Sequence, residues 1–120
     1  MIKAVFFDFY NTLVGYDPPQ EVLEARVLRD FGIDVSPEIF RRPLVIADEF
    51  IYREHARFPI SKRSKEERGA LYAQYQGIML KEAGIDASPE LIAGILGKLM
   101  KLNLKLVLFD DVMPALACLR

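Results

Sequence analysis

Cysteine and histidine are almost absent from this sequence, in which Cys118 and His55 are the single residues of their kinds. One thiol cannot form an internal disulfide, and one cysteine with one histidine does not make a zinc-ligand set. No Ser-His-Asp triad or metal cluster can be assembled around His55. We expect His55 to lie on a helix surface, and Cys118 to pack as a small core residue of an amphipathic helix.

The sequence also lacks a long apolar run and an excess of charge of either sign. No stretch approaches the ~20 residues that span a bilayer, and the N-terminus has no signal-peptide layout. The net charge of −1 gives no electrostatic attraction to nucleic acid or to an anionic membrane. We therefore expect a cytoplasmic protein that binds neither. Its 52% hydrophobic content is enough for a packed core.

What the sequence does contain is mainly helical periodicity between two short apolar segments. Residues 2–9 are rich in β-formers, and the consecutive Val5, Phe6 and Phe7 are typical of a strand buried on both faces. A loop of turn residues follows, and residues 104–109 predict a short strand or an extended return segment. Four helices are predicted between these segments, over 19–31, 36–57, 64–84 and 88–102. A last helix is predicted to start near Asp110.

Start and stop residues mark the predicted helix boundaries. Gly32 and Gly84 are expected to end helices, and Ser64 with Glu67 forms a capping-box pattern. Ser-Pro-Glu occurs at 36–38 and again at 88–90, which predicts an N-cap serine followed by proline at the first helical position. Pro43 should kink the second helix or split it after Arg42.

The sheet implied by these segments is incomplete. A lone strand of the parallel type cannot satisfy its backbone hydrogen bonds or bury both of its faces. Residues 2–9 therefore need neighbouring strands, and the chain offers at most residues 104–109. The last helical pattern also continues to Arg120 without a terminator. We expect further residues or another chain, a homo-oligomer included, to complete the sheet; a small helical domain with one edge strand is the alternative.

An acidic residue, Asp8, stands where the first apolar segment meets the loop. Ligands of open α/β sheets bind beyond the carboxyl ends of the strands, which favours a chemical role for Asp8; capping of the loop backbone is the alternative. Residues 5–14, Val-Phe-Phe-Asp-Phe-Tyr-Asn-Thr-Leu-Val, resemble the first motif of the haloacid dehalogenase superfamily, an apolar strand followed by Asp-x-Asp-Gly-Thr-Leu. Asp8, Thr12 and Leu13 match this motif, whereas Tyr10 and Asn11 replace its second Asp and its Gly.

Two further segments resemble the same family in the same order. The helical block after the motif is similar to the family's inserted cap, and residues 108–116 look like the return from that cap. The resemblance implies an α/β fold, with a partial Rossmann-like core formed by residues 1–18 and 104–120 and a helical cap formed by residues 19–103. The family's later motifs, a Ser or Thr, then a Lys, then an acidic pair, do not occur in this sequence.

The resemblance also implies a hydrolase in which Asp8 is a covalent nucleophile and Thr12 orients it. Family dehalogenases carry Tyr two residues after the nucleophile, where phosphatases carry a proton-donating Asp. A departing halide needs no proton, so Tyr10 favours hydrolysis of a small 2-haloacid without a cofactor; packing of the loop is the other interpretation of Tyr10. The alternatives are a phosphatase, with Mg²⁺ on the Asp8 carboxylate and the Tyr10 carbonyl, and a non-catalytic interaction module.

Candidate substrate-binding residues are Arg41, Arg42 and Asn11. Family dehalogenases hold the leaving halide with an arginine near the start of the cap, where Arg41 and Arg42 lie, and a guanidinium suits a halide or a carboxylate. Helix geometry prevents both arginines from facing one site, and an exposed helix break is the alternative explanation. The acidic pair Asp110-Asp111 is better explained by helix capping than by a metal site.

Overall fold

The computed structural model describes residues 1–119, and Arg120 lies outside the described residues. The prediction that the last helix continues to the end of the sequence is wrong for residues 118 and 119, because that helix ends at Ala117. The chain divides into two compact units. The terminal unit combines residues 1–20 with the segment from Asn103 onward, and the helical unit is Glu21–Leu102. No helix among the described residues is long and apolar enough to cross a membrane.

The helical unit contains four α-helices and two short 3₁₀ turns. The helices are α1 (Gln20–Arg29, whose first residue belongs to the terminal unit), α2 (Arg41–Arg57), α3 (Lys65–Glu82) and α4 (Pro89–Leu99), and the turns are Pro37–Phe40 and Ile60–Lys62. Apolar residues at helical spacing bring one face of each helix to a common core, formed by Ala25, Val27, Leu28, Phe40, Leu44, Ala47, Met79, Leu80 and Ile95. Full burial of each large side chain contributes about 1.5–3 kcal/mol.

The predicted N-caps Ser64 and Ser88 and the predicted glycine stops of the helical unit are confirmed. The predicted N-cap Ser36 is not, because it precedes a 3₁₀ turn instead of α2 and makes no side-chain capping hydrogen bond. The Ser64 hydroxyl accepts a hydrogen bond from the Glu67 backbone N–H at 3.1 Å, and the Glu67 carboxylate accepts one from the Ser64 N–H at 2.7 Å. Ser88 caps α4 by accepting from the Leu91 N–H at 3.1 Å. Gly32 and Gly84 have φ values of +79° and +76°, the left-handed conformation that ends a helix and favours glycine.

The break in the second predicted helix is not where Pro43 suggested. The chain forms the 3₁₀ turn Pro37–Phe40 and then begins α2 at Arg41, so Pro43 is the third residue of a continuous helix. The first N–H groups of an α-helix have no intrahelical acceptor, and the missing N–H of Pro43 therefore disrupts no hydrogen bond. The prediction of a kink or split after Arg42 is wrong for this reason.

The terminal unit contains β1 (Val14–Asp17), β2 (Lys105–Leu108) and α5 (Val112–Ala117). The two strands are antiparallel, with Val14 opposite Leu108 and Asp17 opposite Lys105. The predicted strand at 104–109 is therefore confirmed as β2. Gly15 permits the close approach of the Phe109 ring, which would lie 2.9 Å from a Cβ at this position. Cys118 is exposed, so the prediction that it packs in a core is wrong.

Residues 1–9 form no strand, which contradicts the prediction for residues 2–9. A strand is defined by a hydrogen-bonded ladder, and the part of the chain that the structure describes provides this segment with no partner strand. Its apolar side chains are consequently open to solvent: Ile2 is 82% exposed and Phe6 94%. The segment has the composition of a buried strand without the neighbours that would bury it.

Candidate functional site

A tight turn follows Asp8 and joins the first segment to β1. The Phe9 carbonyl accepts hydrogen bonds from the backbone N–H groups of Leu13 at 2.9 Å and Val14 at 3.1 Å. The Asn11 N–H donates to the Val14 carbonyl at 2.8 Å, which closes the turn from its other side. These bonds tie the backbone of residues 9–14 to the start of the two-stranded sheet.

Asn11 has a φ of 59°, in the left-handed region. Glycine enters this region without steric cost, and asparagine is among the non-glycine residues most often found there. The replacement of the motif's glycine by Asn11 is thus compatible with the backbone that this turn requires. This conformation accounts for Asn11 as a turn residue, while its predicted role in substrate binding stays a prediction.

The turn brings Asp8 and Thr12 together. The Thr12 hydroxyl donates a hydrogen bond to Oδ2 of Asp8 at 2.9 Å, and both residues are exposed. The bond fixes one carboxylate oxygen, while Oδ1 has no hydrogen-bond partner among the described residues. An ionised carboxylate with one oxygen held and the other accessible can act as a nucleophile, a general base or a cation ligand.

Tyr10 extends from the same turn and is partly buried. Its ring packs edge-on against Tyr16 of β1, with the ring centroids 5.4 Å apart and an angle of 61° between the planes. This geometry is the favourable one for a pair of aromatic rings. Tyr10, two residues after Asp8, thus has a specific packing partner, as the packing interpretation of this residue requires. Its catalytic role stays a prediction.

Arg41 and Arg42 are exposed and belong to the helical unit, where they are the first two residues of α2. Neither forms an ion pair among residues 1–119, in contrast to Arg53, Arg57 and Arg63. Successive helical residues project about 100° apart, so the two guanidinium groups face different directions. Their role in anion binding stays a prediction.

Sequence reasoning missed a buried acid in the helical unit. Glu24 of α1 is 1% exposed, and its Oε2 accepts a hydrogen bond from Nε2 of Gln76 on α3 at 2.8 Å. Burial raises the pKa of the Glu24 carboxyl to about 7, and the Gln76 hydrogen bond partly opposes this. The available signal was helical spacing, since Glu24 lies one turn before the fully buried Leu28.

Asp48 of α2 is a second acid that the sequence did not single out. It is half-buried, and its Oδ1 accepts a hydrogen bond from the Tyr75 hydroxyl at 3.0 Å. Desolvation raises the pKa of Asp48 above its ordinary value, and the Tyr75 hydrogen bond acts in the opposite direction. Neighbouring residues of α3, Tyr75 and Gln76, thus hold the two acids from α2 and α1.

No group of three or more His, Cys, Asp or Glu side chains within residues 1–119 is arranged to hold a metal ion. No protein-family model, curated protein or solved structure matches this chain. The turn that contains Asp8, whose sequence resembles a known motif, is therefore the candidate functional site.

Proposed function

We propose that this chain carries the nucleophile of a haloacid dehalogenase-like hydrolase that acts on a small 2-haloacid in the cytoplasm. The observation that carries the proposal is the 2.9 Å hydrogen bond from the Thr12 hydroxyl to Oδ2 of Asp8. The motif assigns the orienting role to a threonine four residues after its nucleophile, and Thr12 makes that contact here. The same bond would also suit a purely structural turn, which the experiment below distinguishes.

The proposed reaction has two steps. Oδ1 of Asp8 attacks the halogen-bearing carbon of the substrate, a carbon–oxygen bond forms, and the halide leaves with the electron pair of the carbon–halogen bond. Water then attacks the carbonyl carbon of the resulting aspartyl ester. Cleavage of the acyl–oxygen bond regenerates the Asp8 carboxylate and releases a 2-hydroxy acid, so that each turnover yields one halide and one proton.

Tyr10 supports a halide rather than a phosphate ester as the leaving group. An alkoxide leaving from phosphorus needs a proton, and general-acid help in that step is typically worth about 10²–10⁴-fold. Tyr10 stands where a phosphatase of this family carries its carboxyl donor, and its ring packs on Tyr16. Halide departure requires no proton and is compatible with an aromatic side chain at this position.

Anion binding in the proposed reaction is assigned to Arg41 or Arg42. A 2-haloacid presents a carboxylate and releases a halide, and a permanently charged guanidinium binds either one. Separate Arg41→Gln and Arg42→Gln variants should identify one arginine whose loss raises KM or lowers kcat and one whose loss changes neither. Asn11 is the remaining candidate for contact with the substrate.

The test is halide release from 2-chloropropionate without added metal, compared among the wild type, Asp8→Asn and Asp110→Asn. Asp110 is an exposed carboxylate in the same unit and serves as the matched control. The proposal requires activity in the wild type and the control, with a loss of several orders of magnitude in Asp8→Asn. Magnesium-dependent hydrolysis of p-nitrophenyl phosphate without halide release would instead identify a phosphatase. Equal halide release by all three proteins would assign Asp8 to the turn alone.

A further inference from the structure

The two strands of the terminal unit have edges of different kinds. The outer edge of β1 is covered by its own turn at Val14, whose N–H donates to the Phe9 carbonyl at 3.1 Å and whose carbonyl accepts from the Asn11 N–H at 2.8 Å. The outer edge of β2 has no such cover among the described residues, because the sheet has only two strands there.

The hydrogen-bond pattern identifies which groups of β2 are unpaired. The Phe109 N–H donates to the Leu13 carbonyl at 3.0 Å, so Phe109 directs its backbone groups toward β1. Every second residue of a strand points the same way, so Val107 and Lys105 also direct theirs toward β1. In an antiparallel ladder the alternate residues direct their N–H and C=O groups the other way. Leu104, Leu106 and Leu108 therefore present theirs at the outer edge.

Side chains on both faces of this strand are apolar and exposed. Leu106 is 50% exposed, Leu108 51% and Val107 41%, and Lys105 is the one charged residue between 104 and 109. An apolar strand with an unpaired edge is a template for pairing with another strand. Such an edge in a folded chain needs either a partner strand or residues that prevent pairing. Lys105 is the only residue of that kind between 104 and 109.

We propose that a second copy of this chain pairs with the outer edge of β2, antiparallel and about a two-fold axis at Leu106. In this register Leu106 lies opposite Leu106 of the second copy. Leu104 of each copy lies opposite Leu108 of the other. It therefore matches each of the three outward-directed residues with another outward-directed residue. A two-fold interface of this kind is closed and self-complementary.

The charges around β2 favour this arrangement over a parallel one. Lys105 lies at the start of the strand, and Asp110 and Asp111 follow its end. Antiparallel pairing places Lys105 opposite Val107 of the second copy and brings each lysine end toward the acidic end of the other strand. Parallel pairing in register would instead stack Lys105 on Lys105, which is unfavourable.

Analytical ultracentrifugation over a dilution series tests the proposal. The wild type should sediment at twice the 13.7 kDa of one chain and dissociate on dilution. Leu106→Lys places two like charges across the axis and should weaken self-association by about tenfold or more. Val45→Lys is the matched control, because Val45 is 67% exposed on a helix of the other unit, and this change should leave the dissociation constant unaltered.

Disulfide trapping gives a second measurement that does not depend on the stability of Leu106→Lys. In a Cys118→Ser background, Leu104→Cys and Leu108→Cys copies should form a mixed disulfide when combined, because a hydrogen-bonded antiparallel pair has its Cα atoms ~5.5 Å apart, as a disulfide requires. Neither variant alone should crosslink. A wild type that stays monomeric throughout the dilution series, or self-crosslinking by each variant alone, would overturn the proposal.

Discussion

Replacement of the buried Glu24 by glutamine should make the protein more stable at neutral pH but not at acidic pH. The folded state raises the pKa of this carboxyl from its ordinary value of 4.5 to about 7, chiefly through burial. The unfolded chain releases the proton near pH 4.5, whereas the folded chain retains it until about pH 7. The stability linked to Glu24 is therefore fully present below pH 4.5 and is lost progressively as the pH rises to 7.

The size of this loss of stability follows from the shift in the pKa of Glu24. Each pKa unit corresponds to 1.36 kcal/mol, so the difference between the folded and unfolded states amounts to about 3 kcal/mol above pH 7. Glutamine has nearly the same shape, cannot ionise, and can still accept the hydrogen bond from Gln76 through its amide oxygen. The free energy of unfolding of Glu24→Gln should match that of the wild type near pH 4 and exceed it by up to about 3 kcal/mol at pH 8.

Urea denaturation followed by far-UV circular dichroism from pH 4 to pH 8 measures this difference. Subtraction of the two curves cancels the contribution of Asp48, whose pKa is also raised by burial. Glu21→Gln removes a carboxyl group from the less buried first turn of the same helix, so it is the matched control and should have a much smaller effect on the free energy of unfolding. A difference between Glu24→Gln and the wild type that stayed constant across this range would show that folding does not raise the pKa of Glu24.

Three further substitutions test the contacts around the sites described above. Ser64→Ala removes the side-chain acceptor of the α3 capping box and should lower the free energy of unfolding by about 1 kcal/mol, whereas Ser61→Ala, in the preceding turn, should have little effect. Tyr75→Phe removes the hydrogen bond to Asp48 and should raise the pKa of that carboxyl further, as a two-dimensional NMR titration would detect. Thr12→Val should lower kcat on 2-chloropropionate while Thr12→Ser retains most of it, because serine keeps the hydroxyl that contacts Asp8; equal losses in both variants would argue against an orienting role.

Local capping chemistry made the helical unit predictable from its sequence. Ser64 with Glu67, Ser88 with Pro89, and the two positive-φ glycines each act on backbone groups within a few residues, so short patterns are sufficient to identify them. Pro43 was misread because the effect of a proline depends on its position relative to the helix start. That start is set by the 3₁₀ turn ahead of Arg41, which the pattern did not reveal.

Features that depend on distant partners were not predictable in the same way. Residues 2–9 have the composition of a strand, but a ladder needs a second strand, and the described chain pairs β2 with residues 14–17 instead. Glu24 and Gln76 lie far apart in sequence, and a glutamate on a helix is ordinarily exposed. At the candidate site, the family resemblance implied that Thr12 would hydrogen-bond to Asp8, and the two side chains do form that bond.

Under the proposed function, Asp8 forms a covalent ester with its substrate. The most direct measurement is a single turnover of 2-chloropropionate in ¹⁸O-labelled water, followed by mass spectrometry of the peptide that contains Asp8. Because water attacks the carbonyl carbon of the ester, that peptide should contain one heavy oxygen and the first molecule of product should contain ordinary oxygen. Label in the product and none in the Asp8 peptide would show that water attacks the substrate directly and that Asp8 forms no ester.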